Sequence, residues 1–236
     1  MTTTATWAKL RQVVVATTDH AGDTAAVRSA FGLGTGFADP EVAEMFLVDA
    51  TMPVSETGYL EFVAPLDERA AVTKWLTKIG GRGGYALSVQ HPDPAGVKAR
   101  AERAGVRIAA DVEVFGYNIV QLHPRDVGLL LELDGIADPQ VWFWDDVDPG
   151  PEPGAAVDEI VAVHVPVADP AATTALWHEL LGLDGPSVPD EIDLGGTRVR
   201  FVAGGPSAEW TIQLRRASSG ADPAVPELPG VHFELV

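Results

Sequence analysis

The sequence contains no cysteine among its 236 residues. Disulfide bonds, zinc–thiolate sites and thiol nucleophiles are therefore excluded. Basic residues are also few, with 16 Lys and Arg against 34 Asp and Glu and a formal net charge of −18. Such a charge repels nucleic acids and anionic membranes, so we expect neither as a partner. A small-molecule ligand stays open, because the local charge of a pocket decides what binds there.

Long apolar runs are missing as well. No run approaches the roughly 18 residues that a membrane-spanning helix needs. The N-terminal MTTTATWAKLRQ lacks the apolar centre of a signal peptide. Serine-nucleophile, kinase and H-E-x-x-H motifs are absent too. With 46% hydrophobic and 21% charged residues the chain has the composition of a folded globular protein. We therefore expect a cytoplasmic protein.

Three segments of the chain share one order of predicted elements. Each begins with a strand, continues through a turn with an aspartate that can cap a helix, and follows with a helix and two or three strands. The segments start near residues 10, 83 and 158, and their aspartates are Asp19, Asp93 and Asp169. The sequence therefore predicts an α+β fold of repeated βαβββ units.

A stretch rich in Pro, Gly and Asp divides the chain. It predicts a domain of two units at residues 1–134, a linker at 135–157, and a further, incomplete unit at 158–236. Three aromatic residues lie in the linker at 142–144. They either anchor the linker onto a domain or form a stacking surface for a ligand or another subunit.

An acidic residue lies in the middle of one apolar segment, LLLELD at 129–134. This segment predicts a short buried strand, and a charge inside such a strand is costly unless a partner compensates it. Glu132 is therefore a candidate metal ligand, a candidate acid or base, or one side of an ion pair.

The segment YLEFVAPLDERAAVTKWLTKIGGRGGYALSV and the later VQLHPRDVGLLLELD resemble methylmalonyl-CoA epimerases of the vicinal oxygen chelate superfamily. This superfamily includes glyoxalases, extradiol dioxygenases and bleomycin-resistance proteins. The resemblance covers residues 10–134, whereas residues 158–236 are more similar to short glyoxalase-like domains. It implies that the units form curved mixed sheets around a bowl-shaped site, and it does not fix the reaction.

The resemblance also implies a divalent metal, bound by side chains from the first and last strands of each unit. The last-strand positions carry Glu61 and Glu132, but the first-strand positions carry Gln12 and Gly84 where the family has histidines. Two carboxylates without imidazoles would bind at most a weakly held ion such as magnesium. Without a metal, repulsion between the two carboxylates would raise one pKa and allow them to share a proton.

The C-terminal unit carries three polar residues that we predict to bind substrate. The resemblance places Ala162 at the first-strand position, His164 on the same side two residues later, and Gln213 at the last-strand position. His232, in VHFEL, matches a histidine that is a usual ligand in glyoxalase-like domains. A complete metal site here would need a neighbouring subunit, so a homodimer stays open.

The chemistry implied by the resemblance is proton abstraction next to a carbonyl of a small oxygenated metabolite, by an isomerase, an epimerase or a lyase. Glu61 and Glu132 would be the acid and the base, or the ligands of a weakly held ion. Gln12 would bind the substrate oxygen, and Tyr85 and Tyr117 would shape the pocket. The alternative is a metal-free protein that binds or sequesters a small molecule, as bleomycin-resistance proteins do.

Overall fold

The computed structural model describes residues 6–143, 152–183, 188–218 and 223–236. Trp144 and the adjoining part of the predicted linker lie outside these residues. In the described part of the chain, strands form two mixed sheets with helices packed against them. The predicted α+β fold class is confirmed. No helix within these ranges combines the length and the apolar character needed to cross a membrane.

The elements follow one another in two groups along the chain. The first group is β1 (Lys9–Thr17), α1 (His20–Phe31), a 3-10 helix (Pro40–Met45), β2 (Leu47–Pro53), β3 (Tyr59–Pro65), α2 (Val72–Ile79), β4 (Arg82–Gln90), α3 (Pro94–Ala104), β5 (Ile108–Val114), β6 (Tyr117–Leu122), α4 (Pro124–Val127) and β7 (Leu130–Asp134). The second group is β8 (Val157–Val167), α5 (Pro170–Leu181), β9 (Glu191–Leu194), β10 (Thr197–Ala203), β11 (Trp210–Arg216) and β12 (Val231–Leu235).

Three helices begin where the sequence predicts. The carboxylate of the preceding aspartate accepts a hydrogen bond from a backbone N–H of the first turn at 2.9–3.1 Å, in α1, α3 and α5 alike. This bond satisfies one of the N–H groups that a helix start leaves without a partner. The capping residues are Asp19, Asp93 and Asp169.

The first sheet joins two units through their first strands. Its strand order is β2-β3-β1-β4-β7-β6-β5, and β1 runs antiparallel to β4 at the centre. In each unit the last strand lies parallel beside the first, β3 beside β1 and β7 beside β4. The second unit has three strands after its helix and the first unit has two, in agreement with the predicted two or three.

The second sheet repeats this arrangement with a shorter final unit. Its strand order is β12-β11-β8-β10-β9, with β10 parallel to β8, β11 antiparallel to β8, and β12 parallel to β11. Strand β11 therefore corresponds to the first strand of a fourth unit and β12 to its last strand. The prediction that Gln213 lies at a last-strand position is wrong, because β11 pairs antiparallel with β8. His232 lies in β12.

One hydrophobic core connects the two sheets. Side chains alternate along β1, so that Val13 and Val15 point into this shared core while Val14 and Ala16 pack towards α2 on the opposite face. The rings of Phe31 and Phe233, one from each half of the chain, meet edge to face with centroids 5.3 Å apart. The shared core leaves the α2 face of the first sheet available for a site.

Gly84 faces the shared core rather than the bowl. The ladder between β1 and β4 has an irregularity at Tyr85, so that Val14 pairs with Ala86 but Val15 pairs with Gly84. A Cβ atom on Gly84 would lie 1.8 Å from ring carbon Cδ2 of Trp210. The prediction that Gly84 occupies a ligand position is therefore wrong, and the glycine is required for close packing.

We expect Gly84→Ala to destabilise the protein by about 1–3 kcal/mol, because the added methyl group has to displace the buried Trp210 ring. Urea unfolding measures this change. Gly205→Ala is the matched control, since nothing lies within 4 Å of a Cβ at that position. Equal free energies of unfolding for the two variants would contradict the packing described here.

Candidate active site

A cavity of about 660 Å³ lies on the α2 face of the first sheet. Side chains from β1, β3, β4 and β7 line it, together with the beginning of α2, residues 71–72. The 3-10 helix and the turn between β5 and β6 contribute further lining residues. The site is therefore assembled from both units of the first sheet.

Glu61, on β3, is a buried acid in this cavity with 8% of its surface exposed. The side-chain amide of Gln12 donates to Glu61 Oε2 at 2.6 Å. Burial raises the pKa of Glu61 to about 8, and the charges of Asp49 and Glu132 act in the same direction. The hydrogen bond from Gln12 opposes this shift, because it stabilises the carboxylate form.

Glu132, on β7, lines the same cavity. The side-chain amide of Gln121, its partner on β6, donates to Glu132 Oε2 at 2.6 Å. Burial raises the pKa of Glu132, and the bond from Gln121 works against that shift. Two acids that lie far apart in the sequence therefore share one cavity, and each has one carboxyl oxygen hydrogen-bonded to a glutamine. For Glu132, the hydrogen bond from Gln121 is the interaction that compensates its burial.

Two further buried acids line the cavity and were missed in the sequence. Asp49, on β2, accepts a hydrogen bond from the backbone N–H of Asp39 at 3.0 Å, and burial raises its pKa to about 6. Asp134 accepts from Ser88 Oγ at 2.5 Å, and burial followed by the charge of Glu132 raises its pKa well above the usual value. The alternation along β7 was the available signal, since Asp134 lies two residues after Glu132 and so on the same face.

The two tyrosines predicted for the pocket lie in different places. Tyr85 lines the cavity, and burial together with the charge of Glu132 raises its pKa to about 12. Tyr117 is absent from the described lining residues and packs instead on Phe143, with ring centroids 5.6 Å apart. The prediction that Tyr117 shapes the pocket is wrong, because its ring belongs to the small apolar cluster around Trp142.

Trp142 anchors the beginning of the linker to the first sheet. Trp142 is 4% exposed and packs with Tyr59 and Ile136. The guanidinium of Arg11 lies 5.1 Å from the centre of the Trp142 ring. The anchoring interpretation is confirmed for Trp142, and Phe143 beside it lines the cavity.

The three C-terminal candidates lie on the second sheet, away from the cavity. His164 is partly buried, and burial lowers its pKa together with the charge of Arg200. The side-chain amide of Gln213 donates to Glu234 at 2.8 Å, and His232 is exposed. None of the three lines the cavity described above, so the structure does not bring them to the site of Glu61 and Glu132.

The cavity residues do not fit the divalent metal implied by the resemblance. Gln12 lies seven residues before Asp19, which caps α1. The residue seven positions before Asp93, which caps α3 of the second unit, is Ala86 on β4, and its side chain has no atom that could bind a metal. The amide N–H of Gln12 is directed at Glu61. Across the described ranges, no three His, Asp or Glu side chains are grouped so that they could bind an ion. We derive no chemical step through a metal.

Comparisons with known proteins return solved structures alone. No protein-family model and no curated protein matches the chain. A methylmalonyl-CoA epimerase from Mycobacterium tuberculosis is 24% identical with a TM-score of 0.47, over 53% of this chain and 86% of its own. A Streptomyces coelicolor methylmalonyl-CoA epimerase variant, in complex with 2-nitronate-propionyl-CoA, is 25% identical with a TM-score of 0.47, over 53% and 95%.

A hypothetical protein from Bacillus halodurans C-125 is 20% identical with a TM-score of 0.47, over 54% of this chain and 93% of its own. The similarity to methylmalonyl-CoA epimerases that the sequence predicts is therefore found among solved structures over about half of the chain.

We expect Glu61→Gln to stabilise the protein more at pH 8 than at pH 5. The pKa of Glu61 rises from about 4.5 to about 8 on folding, so the folded state retains a proton that the unfolded chain loses. Stability is therefore lost as the pH rises between these two values. The gain at pH 8 should exceed the gain at pH 5 by about 3–4 kcal/mol, since each pH unit over which only the folded state keeps the proton costs about 1.4 kcal/mol.

Urea unfolding between pH 5 and pH 8 measures this effect, with Glu209→Gln, at an exposed position, as the control. A gain from Glu61→Gln that stays constant with pH would show that Glu61 does not hold a proton in the folded state.

Proposed function

We propose that the protein is a cytoplasmic enzyme that moves a proton at a carbon next to a carbonyl, as an isomerase or an epimerase. The observation that carries this proposal is the pair of Glu61 and Glu132, which line one cavity and have raised pKa values. General acid–base catalysis works best when the pKa of the catalytic group lies near the operating pH.

The environment of the pair supports a division of roles. Burial raises the pKa of both groups, and that of Glu61 to about 8, with the charge of Glu132 acting in the same direction. We assign Glu61 as the carboxylic acid and Glu132 as the base. Glu132 takes the proton from the substrate carbon, while Glu61 gives its own proton to the opposite face of that carbon or to the carbonyl oxygen. The first outcome is epimerisation and the second is enolisation, which leads to isomerisation.

Gln12 and Gln121 are positioning residues in this scheme. Each amide donates to one oxygen of its glutamate at 2.6 Å and so fixes the plane of the carboxyl group. We therefore assign Gln12 to the orientation of Glu61 rather than to the substrate oxygen. Fixed orientation matters because proton transfer requires donor and acceptor atoms within hydrogen-bond distance.

Binding without turnover is the second candidate function. Among the described lining residues, Arg69 carries a positive charge, and it forms a salt bridge with Asp67 at 2.5 Å. No other cation in that lining is placed to polarise a carbonyl, so an enzyme would depend on Glu61 for this purpose. This feature favours a protein that holds a small molecule unchanged.

Proton exchange in deuterated water distinguishes the two functions. We expect the protein to catalyse exchange at the carbon next to the carbonyl in a panel of oxo acids, thioesters and methylglyoxal adducts. Glu132→Gln should lower the exchange rate by roughly 10²–10⁴-fold, the usual contribution of a general base. NMR follows the loss of the proton signal.

Glu209→Gln, at an exposed position, is the matched control and should retain the full rate. Equal rates for the wild type and Glu132→Gln would remove Glu132 from the mechanism. Ligand binding without any exchange would support the second function instead.

A further inference from the structure

We propose that the ligand of this cavity carries a positively charged organic ammonium group. This inference rests on the same cavity as the proposed function and names the class of molecule that it accepts, but it does not require turnover. Three independent features of the cavity support it: its charge, a buried carboxyl oxygen without a partner, and aromatic rings among the lining side chains.

The lining of the cavity is strongly acidic. Its described residues include eight carboxylic acids, which are Asp39, Glu41, Glu44, Asp49, Glu61, Glu113, Glu132 and Asp134. The basic residue among them is Arg69, whose charge is compensated by Asp67 and whose guanidinium lies 3.9 Å from the centre of the Phe46 ring. Such a cavity favours cations over phosphates and carboxylates.

Asp134 provides an acceptor that nothing in the described chain uses. The residue is 1% exposed, and its Oδ2 accepts the hydrogen bond from Ser88. Its Oδ1 is buried and has no hydrogen-bond partner within the described residues. A buried polar atom without a partner is costly to desolvate. The positive charge of a ligand would offset this cost on binding, because it attracts the carboxyl oxygen.

Aromatic rings complete the chemistry that an ammonium group requires. Tyr85, Phe115 and Phe143 line the cavity, and the rings of Phe115 and Phe143 lie 6.1 Å apart. The faces of aromatic rings attract organic cations. A bare metal ion does not suit this site, since the described residues contain no group of three metal-ligating side chains and the cavity measures about 660 Å³.

A cationic ligand would also change the protonation of the site. Burial raises the pKa values of Glu61, Asp134 and Glu132, and the charges of neighbouring acids act in the same direction. A positive charge among these groups favours their ionised forms, so binding should release protons and become tighter as the pH rises.

A matched pair of probes tests the inference. Choline carries a quaternary ammonium group, and dimethylbutanol is its neutral carbon analogue of nearly the same shape. We expect choline to bind at least tenfold more tightly than dimethylbutanol, as measured by NMR titration of the labelled protein. Asp134→Asn should weaken choline binding at least fivefold, whereas Glu227→Gln, at an exposed position, should leave it unchanged.

Equal affinity for the two probes, or no binding of choline, would overturn the inference. Because Asp134→Asn could disturb the fold, Glu113→Gln provides a second variant at the exposed tip of the β5–β6 hairpin and should also weaken choline binding. Choline binding that neither variant weakens would equally overturn it. Proton exchange without choline binding would refute the inference and leave the proposed function intact. Choline binding without proton exchange would support the inference and contradict the proposed function.

Discussion

The crowding of carboxyl groups on one buried sheet face is the constraint on which the rest of the site depends. Glu61, Glu132, Asp49 and Asp134 line a single cavity, and burial is the largest cause of the raised pKa in each case. Like charges in a poorly solvated space cannot all ionise, so protons remain bound near neutral pH. The same repulsion costs stability as the pH rises, and it underlies both the acid and base roles that we propose and the positively charged ligand that we infer.

The fold imposes this crowding through the pairing of first and last strands. In each unit of the first sheet the last strand lies parallel beside the first, and β1 and β4 join the units at the centre. Glu61 is thereby placed opposite Val14, and Glu132 opposite Ser88. One inward position on each strand is enough to bring distant residues to one point, because side chains alternate along a strand.

The sequence predicts the features that depend on local pattern. The capping aspartates, the repeated units and Glu132 follow from short segments that can be read directly, and Glu61 follows from the resemblance to methylmalonyl-CoA epimerases. The position of Gly84 depends on the irregularity at Tyr85, where a shift of one residue moves side chains to the other face. The roles of Gln213 and His232 depend on the direction in which β11 pairs, and the placement of Tyr117 depends on packing against Phe143. These are long-range contacts, which a local pattern does not contain.

The hydrophobic core that the two sheets share couples the stability of the two halves of the chain. The indole N–H of Trp177 donates to the carbonyl of Val127 at 2.9 Å, and the side chain of Arg100 donates to the carbonyl of Leu180 at 2.7 Å. Separating the halves would expose apolar surface on both and break these bonds. The chain should therefore melt in one cooperative transition, in which each half contributes to the stability of the other.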